Sequence, residues 1–279
     1  HLSLRRQRQM CIRDREHVHR MVESERRVFA DRSEWLGDPD FFNVPVNNLL
    51  DSTYLRMRMS SFDEQHATSS SRVLPGSAEQ HHAEHEQTTH YSIVDTDGNA
   101  VAVTTTLNDS YGSKIVVSGA GFLLNNEMDD FSVKAGSANM YGVTGGIANS
   151  IAPGKRMLSS MTPTIVEEKG RLRMVVGTPG GPTIITSVFQ TIVNHLDYGM
   201  TIQDAVRTPR FHHQWLPDRI SVEIGRSLPN STCSILRAMG HTFFERPSMG
   251  RVDAISVDIS SGTLHGGADP RGDDSVSGM

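Results

Sequence analysis

The sequence predicts an α+β fold in which antiparallel sheets are covered by helices. Two observations carry this expectation. β-rich runs come in pairs around tight-turn signals, and helical segments fall between the pairs rather than alternating with single strands as in a parallel Rossmann sheet. With 279 residues the chain is also long enough to bury a sizeable core.

The elements follow in order. Residues 1–15 hold five arginines and no hydrophobic period, and read as a non-native leader. His17 to Trp35 reads as a helix, with Val18, Met21, Val22, Val28, Phe29 and Trp35 at roughly helical spacings. Gly37 and Pro39 end it. Val46 to Met57 suggests a second helix, and Ser60 to Gln87, poor in large apolar residues, an exposed flexible linker. From Thr88 the texture changes. His90–Val94 and Ala100–Leu107 flank Asp95-Thr96-Asp97-Gly98-Asn99, a hairpin signal. A second hairpin turns at Lys169-Gly170, between Thr164–Glu167 and Leu172–Val176. Gly180-Gly181-Pro182 opens a long apolar helix, Thr183–Leu196, and a short helix over Thr201–Thr208 stops at Pro209. A strand (Arg219–Glu223), a helix (Pro229–Met239) and a strand (His241–Glu245) follow, then a last hairpin of Ala254–Ile259 and Thr263–Gly266.

Composition excludes several classes. A net charge of −5 argues against general nucleic-acid binding. No run approaches the ~18 apolar residues of a membrane span. Two cysteines, Cys11 and Cys233, leave no disulfide scaffold, and Cys233 reads as packing. His81, His82, His85 and His90 crowd one stretch, but no Cys accompanies them, so neither a metal nor a cofactor is expected. His212-His213 reads as structural.

Thr88 is the most informative position, standing where a polar segment meets the β-rich part. A threonine hydroxyl is a weak nucleophile until a base activates it, and a chain-terminal threonine carries that base in its own α-amine. An amine of pKa roughly 7.7–8.0 suits general-base work at neutral pH. Any Thr-Thr before a strand also fits plain β-propensity.

The run from Thr88 through His90-Tyr-Ser-Ile-Val-Asp-Thr-Asp-Gly-Asn-Ala-Val-Ala-Val to Thr104 resembles the start of the small subunit of γ-glutamyltranspeptidases. The likeness continues through Thr106-Leu-Asn108, Leu123 to Phe131, Leu158-Ser159-Ser160-Met161-Thr-Pro163, Gly177 to Gly181, Pro209 to Leu216 and Gly267-Ala-Asp-Pro270-Arg. Upstream, Ala30 to Asp40 resembles the last helical region of the large subunit, so about residues 16 to 279 are covered.

The resemblance implies a four-layer αββα N-terminal-nucleophile hydrolase sandwich, incomplete here because the family's N-terminal part is missing. It implies that residues 16–87 are the end of the large subunit with a flexible linker, and that 88–279 are the small, catalytic subunit. The chain is then a truncated copy of a precursor that cuts itself between Gln87 and Thr88. Its parent would transfer a γ-glutamyl group from glutathione and related donors, through an ester on Thr88, to an amine acceptor or water. Thr106 would tune the nucleophile, and Gly180 and Gly181 would form the oxyanion hole. Asn108, Glu127 and Asp130 would hold the substrate's α-amino group and Ser159 and Ser160 its α-carboxylate, while Tyr141 falls in a lid loop. The arginine that grips that carboxylate in the family is expected outside this chain. The parent's large subunit is the expected partner, and a periplasmic or secreted location the expected address. A related cephalosporin or glutaryl acylase, or a catalytically inactive binding module, are the alternatives.

Overall fold

The computed structural model describes residues 14–74, 88–132 and 145–278. Helix α1 (Arg15–Trp35) starts where the Asp14 carboxylate accepts the His17 amide at 2.9 Å, so it takes in the last two residues of the stretch read as foreign. Its buried stripe is Val18, Met21, Val22, Phe29 and Ala30, whereas Val28 and Trp35 face solvent. The expected second helix is broken into α2 (Val46–Leu49) and α3 (Ser52–Arg58), because the Asp51 side chain caps α3 by accepting the amides of Thr53 and Tyr54.

Residues 60–74 are mostly exposed, as composition suggests, but Ser70 and Val73 are buried and anchor the segment to the fold. The Ser70 amide donates to Asp218, its hydroxyl donates to the Trp215 carbonyl at 2.6 Å, and the Trp215 indole N–H returns a bond to the Ser70 carbonyl. Val73 packs with Phe29, Ala30 and Trp215. Composition gives no sign of this anchoring, because Ser70 is held by hydrogen bonds to the distant Trp215 and Asp218. Residues 75–87, with Gln87, His81, His82 and His85, lie outside the described residues, as does Cys11.

Strands β1 (Thr88–Val94) and β2 (Ala100–Thr106) form the first expected hairpin, in a register that sets Thr88 opposite Thr106. The Asp95 carboxylate holds its turn by accepting the Asp97 and Asn99 amides. β3 (Thr164–Glu168) and β4 (Arg171–Gly177) form the second hairpin, with Lys169 and Gly170 both at positive φ, as a two-residue turn of this twist requires. β8 (Asp253–Val257) and β9 (Leu264–Gly267) form the last, and β8 pairs with β4, giving one antiparallel sheet in the order β3-β4-β8-β9.

The β1–β2 ribbon packs face to face on this sheet, and α4 (Thr183–Leu196) and α5 (Ile202–Arg207) cover the sheet's other face. Between sheet and helices lie Met174, Val176, Ile184, Val188, Ile202, Val206, Val252 and Ala254. Each such aliphatic side chain contributes roughly 1.5–3 kcal/mol by burial. The described residues thus form a β–β–α stack. The outer face of the ribbon leaves Tyr91, Ile93 and Val101 exposed.

The third sheet departs from the antiparallel expectation. β5 (Phe211–His212) is antiparallel to β6 (Ile220–Glu223), but β6 runs parallel to β7 (Phe243–Arg246), with α6 (Asn230–Ala238) as the crossover. α1 packs on α6 around Val18, Val22, Phe211, Ile220, Val222 and Leu236, where the free Cys233 is also buried. The Ala-Asp-Pro-Arg motif near the end ties these layers together. Arg271 bonds both Glu223 and Asp269, and Arg210 bonds Asp269, all four being buried. No helix among the described residues is long and apolar enough to cross a membrane.

Candidate active site

At the open end of the β1–β2 ribbon a pocket is walled by Thr88, Thr106, Asn108, Asp130, Ser159, Ser160 and Gly181, with Arg32 from the last turn of α1. Register alone brings the two threonines together, and the Thr88 hydroxyl donates to Thr106 Oγ1 at 3.3 Å. Thr106 Oγ1 also accepts the Asn108 amide at 2.9 Å. That bond needs the chain to turn sharply after β2. Asn108 does so at φ 76, a conformation asparagine tolerates better than most residues. The Asn108 side chain then donates to the Asn126 carbonyl at 3.2 Å, linking the ribbon to the acidic 3₁₀ turn Glu127–Asp130.

Asp130 projects into the pocket from that turn. Burial, with Glu127 and Asp129 nearby, pushes its carboxyl up to about 7 against the opposing pull of Arg32. Glu127 is half-buried, and burial raises it too, but it lies beside the pocket rather than in its wall. Opposite stand Ser159 and Ser160. Ser159 Oγ accepts the Met161 amide at 3.0 Å, and Ser160 Oγ accepts a bond of 3.0 Å from Arg32 Nη2.

Gly180 and Gly181 precede α4 with φ values of 138 and 53, backbone that residues with a Cβ rarely adopt. Their carbonyls start the helix by accepting from Thr183 and Ile184. Gly181 lines the pocket, whereas its chain neighbour Gly180 is not part of the wall. Tyr141 lies outside the described residues.

Sequence reasoning missed Arg32. Its motif, Ala30 to Asp40, gave only a likeness, and nothing local says that the end of α1 reaches a strand 56 positions later. Sequence reasoning also missed the role of His90. Its ring lies over Gly177, where an added Cβ would come within 2.2 Å of it. His90 meets the Thr104 and Ser92 hydroxyls at 2.8 and 3.1 Å, and burial lowers it to about 4. It therefore spaces the strand of Thr88 from the strand that leads to Gly180-Gly181.

His212 and His213 are structural, as read. Both are buried, and burial lowers them to about 3 and 4. His213 meets Asp218 and accepts the Trp215 amide, and His212 meets Thr186 and Gln214. His19, Glu23 and His241 could each offer a metal ligand, their atoms lying within 4.8 Å of one another. The geometry suits protons better. His19 Nδ1 and His241 Nε2 are 2.7 Å apart, a hydrogen-bond separation, and the Glu23 oxygens already accept from Arg26, Arg27 and the Thr68 amide.

A strand whose first residue is a threonine at a pocket, on stacked sheets backed by helices, is the architecture of an N-terminal-nucleophile hydrolase. Residues 3–279 match the family described as gamma-glutamyltranspeptidase. The chain belongs to that family. It is 48% identical over 256 residues to the glutathione hydrolase proenzyme of Escherichia coli strain K12, covering 92% of this chain and 43% of that protein. It is 34% identical over 257 residues to the acylase ACY 1 proenzyme of Pseudomonas sp. strain SE83, covering 92% and 42%. The crystal structure of the Helicobacter pylori gamma-glutamyltranspeptidase T380A mutant matches with a TM-score of 0.64 and 52% identity, over 66% of this chain and 100% of that one. The chain thus spans less than half the length of these curated relatives.

Proposed function

We propose that this chain carries the nucleophile half of an enzyme that transfers the γ-glutamyl group of glutathione-like donors to amines or water. The observation that carries the reading is the Thr88–Thr106 hydroxyl pair at one end of a pocket with an acidic wall at Asp130 and a hydroxyl wall at Ser159 and Ser160. An ammonium suits the first wall and a carboxylate the second, so the pocket fits the α-amino acid end of a γ-glutamyl group.

The chemistry has two phases. In processing, Thr88 Oγ attacks the Gln87 carbonyl carbon, its C–N bond breaks, and water hydrolyses the resulting ester. This frees the Thr88 α-amine. In turnover that amine takes the hydroxyl proton as Oγ attacks the γ-carbonyl of the donor. The oxyanion is assigned to the Gly181 amide in the pocket wall, with the adjoining Gly180 amide beside it. The leaving amine takes the proton, and an acceptor amine or water then releases the glutamyl ester. Two relatives bear the word proenzyme in their names, which supports a processing step. So does the Helicobacter pylori chain, matched over its full length by a share of this chain close to that of residues 88–279.

Residues 16–87 on this reading are the end of the large subunit. The rest of that subunit is the partner, and its docking surface includes the exposed Tyr91, Ile93 and Val101 face of the ribbon. By family the address is periplasmic or secreted. The acylase relative supplies the second reading, a pocket for glutaryl amides. Asp130 favours the first, because a glutaryl group has no ammonium to meet it. The test compares hydrolysis of γ-glutamyl and glutaryl anilides, and a preference for glutaryl sinks the γ-glutamyl assignment.

A further inference from the structure

Arg32 differs from four other buried arginines of this chain. Arg26, Arg27, Arg210 and Arg271 each pair a carboxylate within ion-pair distance. Arg32 is 8% exposed, yet among the described residues its hydrogen-bond partner is a neutral hydroxyl, that of Ser160. Burying a guanidinium without a carboxylate is expensive unless an anion meets it there. The cation also lies in the wall that holds Thr88, and its charge acts on Asp130 across the pocket.

Two consequences follow from donor and acceptor chemistry. A guanidinium only donates, so Ser160 Oγ is the acceptor in this bond and its own proton is left to point elsewhere. The hydroxyl becomes an oriented, polarised donor, which a carboxylate needs. In addition, the charged groups acting on Asp130 are Glu127 and Asp129 from its own turn and Arg32 from α1; Arg32 supplies the positive one.

We infer that Arg32 is a positioning residue for the α-amino acid end of the ligand. It turns the Ser160 hydroxyl towards the ligand's carboxylate, and it balances the Asp130 charge that meets the ligand's ammonium. This deepens the γ-glutamyl reading of the pocket and rests on it.

The experiment uses the 279-residue chain with L-glutamate as the probe, read as the shift in thermal midpoint at graded concentrations between pH 6 and 8.5. The ligand's own amine stays protonated over this range, so Asp130 sets the profile. In the wild type, binding should strengthen as pH rises through about 7, the value to which Asp130 is pushed. Arg32→Gln can keep a bond to Ser160 but removes the charge, and should move that midpoint up by about one pH unit. Arg32→Lys should keep the wild-type midpoint. Ser160→Ala should weaken binding about tenfold at every pH, with the midpoint unmoved. A merely structural Arg32 would scale the whole curve. An Arg32→Gln profile lowered without displacement, or unchanged, therefore overturns the inference alone. So does unaltered binding by Ser160→Ala, which stands even if Arg32→Gln does not fold. No stabilisation of the wild type at any pH overturns the γ-glutamyl reading and this inference together.

Discussion

The Thr88 hydroxyl donates to the Thr106 hydroxyl oxygen at 3.3 Å, and the same oxygen accepts the Asn108 amide at 2.9 Å. One atom of Thr106 thus aims the candidate nucleophile and fixes the first residue of the loop that leads to the acidic wall. Thr106→Val keeps the shape and removes the acceptor. Losing a hydrogen bond worth about 1–1.5 kcal/mol should slow acylation of Thr88 about tenfold, while Thr106→Ser keeps most of the rate. Timed trapping of Thr88 by a γ-glutamyl-mimicking electrophile, read by mass, measures it; equal rates for Val and wild type would remove Thr106 from the mechanism.

The spacing between the strand of Thr88 and the strand that leads to Gly180-Gly181 depends on His90 lying over Gly177. Gly177→Ala puts a Cβ into a ring held by two hydroxyls, and should destabilise the fold by about 1–3 kcal/mol. His90→Ala in the same chain removes the clash, so the double variant should lose less than the sum of the singles. Urea unfolding of the four proteins tests this, and strict additivity would contradict the contact.

The buried His212 makes stability depend on pH in a set direction. Burial lowers it to about 3 in the folded chain, against an ordinary value of 6.5. The unfolded chain therefore takes up a proton that the folded chain refuses, and stability falls as pH drops from about 6.5 towards 3. The contribution should be about 1–3 kcal/mol across that window. His212→Gln lowers stability at pH 7 through lost packing on Phe29 but should flatten the slope by about one proton. Denaturant midpoints at a series of pH values decide it; an unchanged slope would mean His212 titrates normally.

Local chemistry explains what the sequence made legible. Asp95 and Gly98, Lys169-Gly170 and Thr201 with Pro209 are turn and cap signals whose cause lies within a few residues, and the elements beside them came out close to expectation. The apolar face of Thr183–Leu196 is a periodic signal of the same kind. The misreadings have distant causes. Parallel pairing of β6 with β7 depends on a crossover that packs on α1, and Ser70 is buried because Trp215 and Asp218 receive it. The site divides likewise. Thr88, Thr106, Asn108, Asp130, Ser159, Ser160 and Gly181 were named from motifs and meet at one pocket, whereas Glu127 and Gly180 stand next to it. Arg32 was invisible because its importance comes only from tertiary placement.

The central claim is that Thr88 is the processing nucleophile. Intact mass of the purified chain after incubation at neutral pH tests it most directly, with Thr88→Ala alongside. The account predicts two products in the wild type, the second beginning at Thr88, and a single uncut chain in Thr88→Ala. A wild type that stays folded and whole, or a Thr88→Ala chain cut at the same bond, would contradict it.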